Sequence, residues 1–164
     1  MGLVVILMGS GADREHAAKV AATASLLGLE VEQRVGSAHK TAHHVLEIID
    51  HYNADPRSKV WVTIAGRSNA LSAFVDGLIT DPVISCPPLS INEDVWSSLR
   101  MPADVAPLVV LDPSNAGLAA AKILAVGNPA LTARIRDYKA AQAAKVIAAD
   151  VELQAATHQK SVPT

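Results

Sequence analysis

Hydrophobic positions along the chain fall into two rhythms. Leu3-Val4-Val5-Ile6-Leu7-Met8 is apolar without a break and Val60-Trp61-Val62-Thr63-Ile64-Ala65 nearly so, as central parallel strands covered by helices on both faces are. Residues 29–35, 82–85 and 108–111 are shorter runs that read as further strands. Between the runs, apolar residues recur at helical spacing: Ala17, Val20, Ala21, Ala24 and Leu27 predict a helix over residues 14–27, with Gly28 as its C-terminal cap. Further helices are predicted over about residues 41–52 and 70–78, one or two turns over 94–99, and a helix over 116–126 closed by Gly127. A last helix runs from Pro129, a favoured first helical residue, to about residue 153.

Strands alternating with helices predict an α/β fold: a three-layer αβα sandwich on a parallel sheet, with right-handed crossovers and a flavodoxin-like strand order. We expect one domain over residues 1–164, with a core at 3–127, the C-terminal helix at about 129–153 and a flexible tail at 154–164. The last helix is longer than a core of this size covers, so it is expected to pack on a neighbouring subunit.

Polar loops follow the first three strands, at the carboxyl edge where open parallel sheets bind ligands. In the first, Gly9-x-Gly11 has two glycines of a dinucleotide fingerprint, but Arg14 holds the place of the third and removes the close helix packing that motif depends on. What remains is a set of backbone N–H groups, the Ser10 hydroxyl and the Asp13 carboxylate at a helix N-terminus, a place suited to phosphate or ribose. Asp13 reads equally well as the N-cap of that helix. In the second loop, Gly36-Ser37-Ala38-His39-Lys40, Ser37 and Lys40 suit an anion at the start of the second helix. His39 between them is the candidate general acid/base, because imidazole both gives and takes a proton near neutral pH; a solvated or capping histidine is the other reading. Gly66-Arg67-Ser68-Asn69 is the third loop. Residues 94–100 read as a packed surface helix rather than a lid.

His39 and His43 are four apart, with His44 adjacent, but a metal needs three or four converging ligands and no neighbour completes a set, so no metal is expected. His16 and His51 read as solvated helix residues. The single cysteine, Cys86, rules out an internal disulfide and a cysteine-based zinc site, and reads as a half-buried structural thiol.

Composition bears on partners. Half the residues are apolar and 18% are charged, against about 25% in an average soluble protein, which points to self-association. A net charge of −2 and 3% aromatics provide neither the basic field nor the stacking platform of a nucleic-acid binder. No apolar run approaches the ~20 residues of a membrane span, and no charged leader precedes Leu3. A soluble cytoplasmic protein is expected.

Five segments, in order, resemble the phosphoribosylaminoimidazole carboxylase family of purine biosynthesis, often called PurE. They are Met8-Gly9-Ser10-x-x-Asp13, Ser37-Ala38-His39-Lys40, Ala65-Gly66-Arg67-Ser68-Asn69, Pro82-Val83-Ile84-Ser85-Cys86-Pro87-Pro88 and Asp94-Val95-Trp96-Ser97-Ser98-Leu99-Arg100. The likeness runs from about residue 3 to about residue 151. Lys40, and Gly66-Arg67-Ser68-Asn69-Ala70-Leu71 after the third strand, are similar to the class II direct carboxylases. The mutase branch, which acts on the N-carboxylated ribonucleotide, typically has Arg and a histidine-containing Ala/Gly-rich segment there. Gly11 and Ala12 depart from the hydroxyl residues frequent in relatives, and the segment before Asp94 is shorter.

The resemblance implies a cytoplasmic, flavodoxin-like homo-octamer without metal or organic cofactor. The implied reaction carboxylates 5-aminoimidazole ribonucleotide (AIR) with carbon dioxide to give 4-carboxy-5-aminoimidazole ribonucleotide (CAIR). It implies His39 as the group that moves the ring proton, and Gly9, Ser10, Asp13, Ser37, Ala38 and Lys40 around the ribose phosphate. Gly66, Arg67, Ser68, Asn69, Ala70, Leu71, Ser85, Pro87 and Pro88 would line the pocket that takes up carbon dioxide. A mutase of the same family and a non-catalytic nucleotide-binding module on this fold are the alternatives.

Overall fold

The computed structural model describes residues 2–88 and 92–159. Five parallel strands, β1 (Leu3–Met8), β2 (Glu30–Val35), β3 (Lys59–Ile64), β4 (Val83–Ser85) and β5 (Leu108–Val109), form one sheet in the order β2-β1-β3-β4-β5. This is the flavodoxin-like order, in which the chain reverses its direction of winding between β1 and β3. The helices are α1 (Arg14–Leu26), α2 (Ala42–Asn53), α3 (Ala70–Asp76), α4 (Trp96–Leu99), α5 (Pro113–Leu124) and α6 (Pro129–Gln159).

Strand side chains alternate between the two faces, and here both faces are covered. Val4, Ile6 and Met8 of β1 with Val60, Val62 and Ile64 of β3 pack under α1, α5 and the start of α6. Leu3, Val5, Leu7 and Trp61 pack under α2 and α3 through Val45, Ile48, Ile49, Leu71 and Val75. Both central strands are buried along their whole length, which is why they carry no polar alternation. The edge strand β2 does carry it: Glu30 and Glu32 hold Arg57, and Glu32 accepts a hydrogen bond from the Tyr52 hydroxyl at 2.7 Å.

Most boundaries fall within two residues of the expected ones, and three of the differences have a clear local cause. Helix α5 begins at Pro113, three residues early, because Asp112 caps it by accepting the Asn115 N–H at 2.8 Å and Pro113 occupies a first-turn position. Strand β5 stops at Val109, since the chain must turn to deliver that cap. Helix α6 continues through Gln159 instead of ending near residue 153, the stretch from Val151 to Gln159 having no Gly or Pro to break it. Residues 160–164 of the expected tail lie outside the described residues. Gly28 (φ 80°) and Gly127 (φ 75°) take the left-handed conformation that ends α1 and α5.

Candidate active site

The first loop is pinned to the sheet by the Gly9 N–H, which donates to the Ile64 carbonyl at 2.8 Å. Ser10 starts a tight turn over Gly11–Asp13: its hydroxyl oxygen accepts the Ala12 N–H at 3.2 Å and its carbonyl accepts the Asp13 N–H at 3.2 Å. Asp13 then stands at the N-cap of α1, yet its side chain makes no capping bond to the helix. Burial raises the Asp13 carboxyl above its ordinary pKa, opposed by the positive influence of His16 and a hydrogen bond from the Ser10 backbone. A partly desolvated carboxylate that does not cap its helix keeps its acceptor oxygens available on the cavity wall.

The second loop leaves β2 at Gly36, where a Cβ would crowd α2, lying 2.9 Å from Val45 Cγ2 and 3.3 Å from Ile48 Cδ1. Beyond it the backbone closes on itself. The Ser37 N–H donates to Thr41 Oγ1 at 2.9 Å, the Thr41 N–H to the Ser37 carbonyl at 2.8 Å, and the Lys40 N–H to Ser37 Oγ at 3.3 Å. This braced turn presents His39 and Lys40 to solvent at the N-terminus of α2.

The third loop, after β3, contains Arg67 at φ 53°, in the left-handed region that a residue with a Cβ seldom adopts. Next to it Asn69 turns inward. Its Nδ2 donates to Ser85 Oγ at 2.7 Å and to Ser98 Oγ at 2.8 Å, and its Oδ1 accepts from the Ser72 N–H at 3.1 Å and the Ser72 hydroxyl at 2.9 Å.

The three loops enclose a cavity of about 660 Å³, a size that suits a small-molecule ligand. Gly9, Ser10, Asp13, Ser37, Ala38, His39, Lys40, Gly66, Arg67, Ser68, Leu71 and Pro88 all line it. Asn69, Ala70, Ser85 and Pro87 do not: Asn69 and Ser85 are buried in the polar network behind the wall, and Pro87 is buried as well. Ala12 and Ala65, noted in the sequence but not among the expected site residues, complete the lining; small residues beside ligand loops give no chemical signal of their own. Lys40 and Arg67 line the cavity together with the Asp13 carboxylate, and among the described residues neither cation lies within ion-pair distance of a carboxylate.

The expectations for His16 and Cys86 change, while His51 is exposed as expected. His16 is half-buried, with Nε2 3.3 Å from Cys86 Sγ, and burial lowers its pKa. Cys86 is fully buried rather than half-buried, and burial pushes its thiol up to about 12, which makes it a neutral hydrogen-bonding partner and no nucleophile. His51 is exposed but lies edge-on to Tyr52 at 4.9 Å between ring centroids. His43 is exposed, and His44 pairs with Glu47 at 3.2 Å.

The family model described as AIR carboxylase matches residues 3–145, which takes in every loop of the cavity. The chain belongs to the AIR carboxylase family. A curated relative, phosphoribosylaminoimidazole carboxylase of Treponema denticola, is 45% identical over 93% of this chain and 98% of its own. Another family member, the bifunctional phosphoribosylaminoimidazole carboxylase/phosphoribosylaminoimidazole succinocarboxamide synthetase of Drosophila melanogaster, is 44% identical over 82% of this chain and 32% of its own length. The crystal structure of Treponema denticola PurE superposes with a TM-score of 0.90 at 45% identity, covering 93% of this chain and 99% of that one.

Proposed function

We propose that this protein carboxylates AIR with carbon dioxide to give CAIR in de novo purine biosynthesis, as a class II direct carboxylase, with His39 as general acid/base. The observation that carries the reading is His39 on a cavity that Lys40 and Arg67 also line, in a chain matched by the AIR carboxylase model over residues 3–145.

The chemistry fits the residues. The aminoimidazole ring is enamine-like, so the ring carbon beside the amine forms the new C–C bond by attacking carbon dioxide. The resulting adduct carries both the new carboxylate and the original ring hydrogen. Loss of that proton to His39 restores aromaticity and gives CAIR, and the protonated imidazole returns it in the reverse direction. Holding the two reactants together supplies the proximity that a bimolecular encounter lacks.

Ser10 and Ser37 accept backbone N–H bonds through their hydroxyl oxygens, which leaves the hydroxyl protons to donate to phosphate. Lys40 adds charge at the N-terminus of α2. Asp13 is suited to accept from the ribose hydroxyls. Gly66, Arg67, Ser68, Leu71 and Pro88 form the remaining wall, where carbon dioxide would enter. No metal or organic cofactor is invoked. Lys40 and the Gly66-Arg67-Ser68-Asn69 loop support the direct carboxylase over the mutase, as does the likeness to a relative whose carboxylase is joined to a synthetase.

We further assign the protein to the cytoplasm and to a homo-octamer. Among the described residues no helix is long and apolar enough to cross a membrane. Helix α6 runs well past its last contact with its own core at Tyr138, so a neighbouring subunit is its natural cover.

Replacing His39 by Asn in the purified protein should leave AIR binding within a few-fold of wild type while turnover falls at least ~100-fold, the usual contribution of a proton-transfer group. Near-normal turnover would sink the assignment. The wild-type protein should consume AIR plus carbon dioxide and be inert toward the N-carboxylated ribonucleotide when carbon dioxide is trapped out. Prompt turnover in the trapped assay would identify a mutase, and conversion of neither substrate a binding module.

A further inference from the structure

Helix α4 is built the wrong way round for a helix that serves the core. Its large apolar side chains, Trp96 and Leu99, are 60% and 51% exposed, while Ser98 is buried and Ser97 partly so. A surface helix ordinarily turns its apolar stripe inward. Here the inward face is two hydroxyls, and both bond to the third loop of the cavity. Ser98 Oγ accepts from Asn69 Nδ2 at 2.8 Å. Ser97 Oγ accepts the Asn69 backbone N–H at 3.0 Å and faces the carbonyl oxygens of Arg67 and Asp94, one of which takes its proton.

The same loop carries Arg67 at φ 53°, a conformation that persists only where surrounding contacts over-determine it. Asn69 supplies part of that constraint. It is 4% exposed and both ends of its amide are engaged, on β4, α3 and α4 at once, so the group has one orientation available. Ser97 supplies the rest by touching both ends of the turn from Arg67 to Asn69. Neither Asn69 nor Ser97 lines the cavity, whereas Arg67 does.

We propose that Ser97 and Asn69 are positioning residues that hold Arg67 in its left-handed conformation and so aim its guanidinium at the substrate cavity, which makes α4 a working part of the site. This rests on reading the cavity as the carboxylase site. The two hydroxyls of α4 act through Arg67 and touch no substrate themselves.

A double-mutant cycle on the full-length protein tests this, because a positioning role and a bracing role differ in additivity. Ser97→Ala should lower kcat/KM for AIR about three- to tenfold, the range of one neutral hydrogen bond, and Arg67→Ala should lower it further. The double variant should match Arg67→Ala alone, and hydrogen exchange at the Asn69 amide should quicken in Ser97→Ala. Losses that simply multiply in the double variant would overturn the proposal, as would wild-type kcat/KM in Ser97→Ala. If the wild-type protein turned over neither ribonucleotide, the assigned reaction would fail. The same four proteins would then be compared in AIR binding by calorimetry, where additive losses would again overturn the positioning role and non-additive losses would support it.

Discussion

Asp13 stands at a capping position without capping, and in the proposed function its carboxylate serves the substrate. Its position before α1 is that of a helix cap, but it makes no such bond and is partly desolvated, so its charge opposes stability. We therefore expect Asp13→Asn to leave the protein as stable as wild type, or more so, at neutral pH while kcat/KM for AIR falls at least about tenfold, the scale of a lost hydrogen bond to a charged group. The sign of the pH dependence follows from the raised pKa. The folded chain holds the Asp13 proton more tightly than the unfolded one, so this group favours folding most below the ordinary carboxylate range and loses that advantage as pH rises through its folded pKa. The stability gap between variant and wild type should open with rising pH and close in acid, as urea unfolding across that range would read. A clear loss of stability at pH 7 would show that Asp13 supports α1 after all. His16, three residues on, could not be read this way from sequence. A lone histidine on a helix looks solvated, and its burial against Cys86 depends on a residue just past β4, 70 positions away in the chain.

At the scale of elements, the packing of α1 on α5 sets one layer of the sandwich and turns on Gly117. A Cβ at that position would sit 2.5 Å from the Val20 carbonyl oxygen and 3.0 Å from Thr23 Cβ, and backbone cannot step aside as a side-chain tip can. Gly117→Ala would gain about 1 kcal/mol in helix propensity against an overpacking cost near the top of the usual ~1–3 kcal/mol, so a net loss of about 2 kcal/mol is expected. The urea midpoint measures it, and an unchanged midpoint would mean that the two helices separate at no cost. Most elements were legible because β1 and β3 are unbroken apolar runs and the helices have clear periodicity. The start of α5 was missed because its signal is a cap, the Asp112-Pro113 pair, ahead of the first apolar position. The inward turn of Asn69 was not legible at all, since the direction of a loop side chain is set by Ser85 and Ser98, 16 and 29 residues further along the chain.

For the whole molecule, the question is what α6 does with its length. Its 31 residues extend about 46 Å at 1.5 Å each, and Leu131, Ile135 and Tyr138, all in its first third, are its described apolar side chains that pack on the protomer's own core. Val146, Ile147, Val151 and Leu153 are all at least 60% exposed. Ending the chain after Lys139 should therefore leave a folded sheet with a native far-UV spectrum per residue of core, and light scattering should report loss of the proposed octamer. An assembly unchanged in mass would refute the role given to α6. The candidate site was largely legible because its loops announce themselves by polar residues after apolar strands. Those loops also leave the sheet in one row, for Met8 is registered with Val35 on one side and Ile64 on the other. The sheet thus works as a ruler with divisions of about 3.3 Å per residue along each strand. Deleting one residue within β2 would shift His39 and Lys40 by one division against Ser10 and Arg67. Length within a strand is accordingly as much an active-site property as the identity of any side chain in the cavity, and natural insertions and deletions should spare β1, β2 and β3 while accumulating elsewhere.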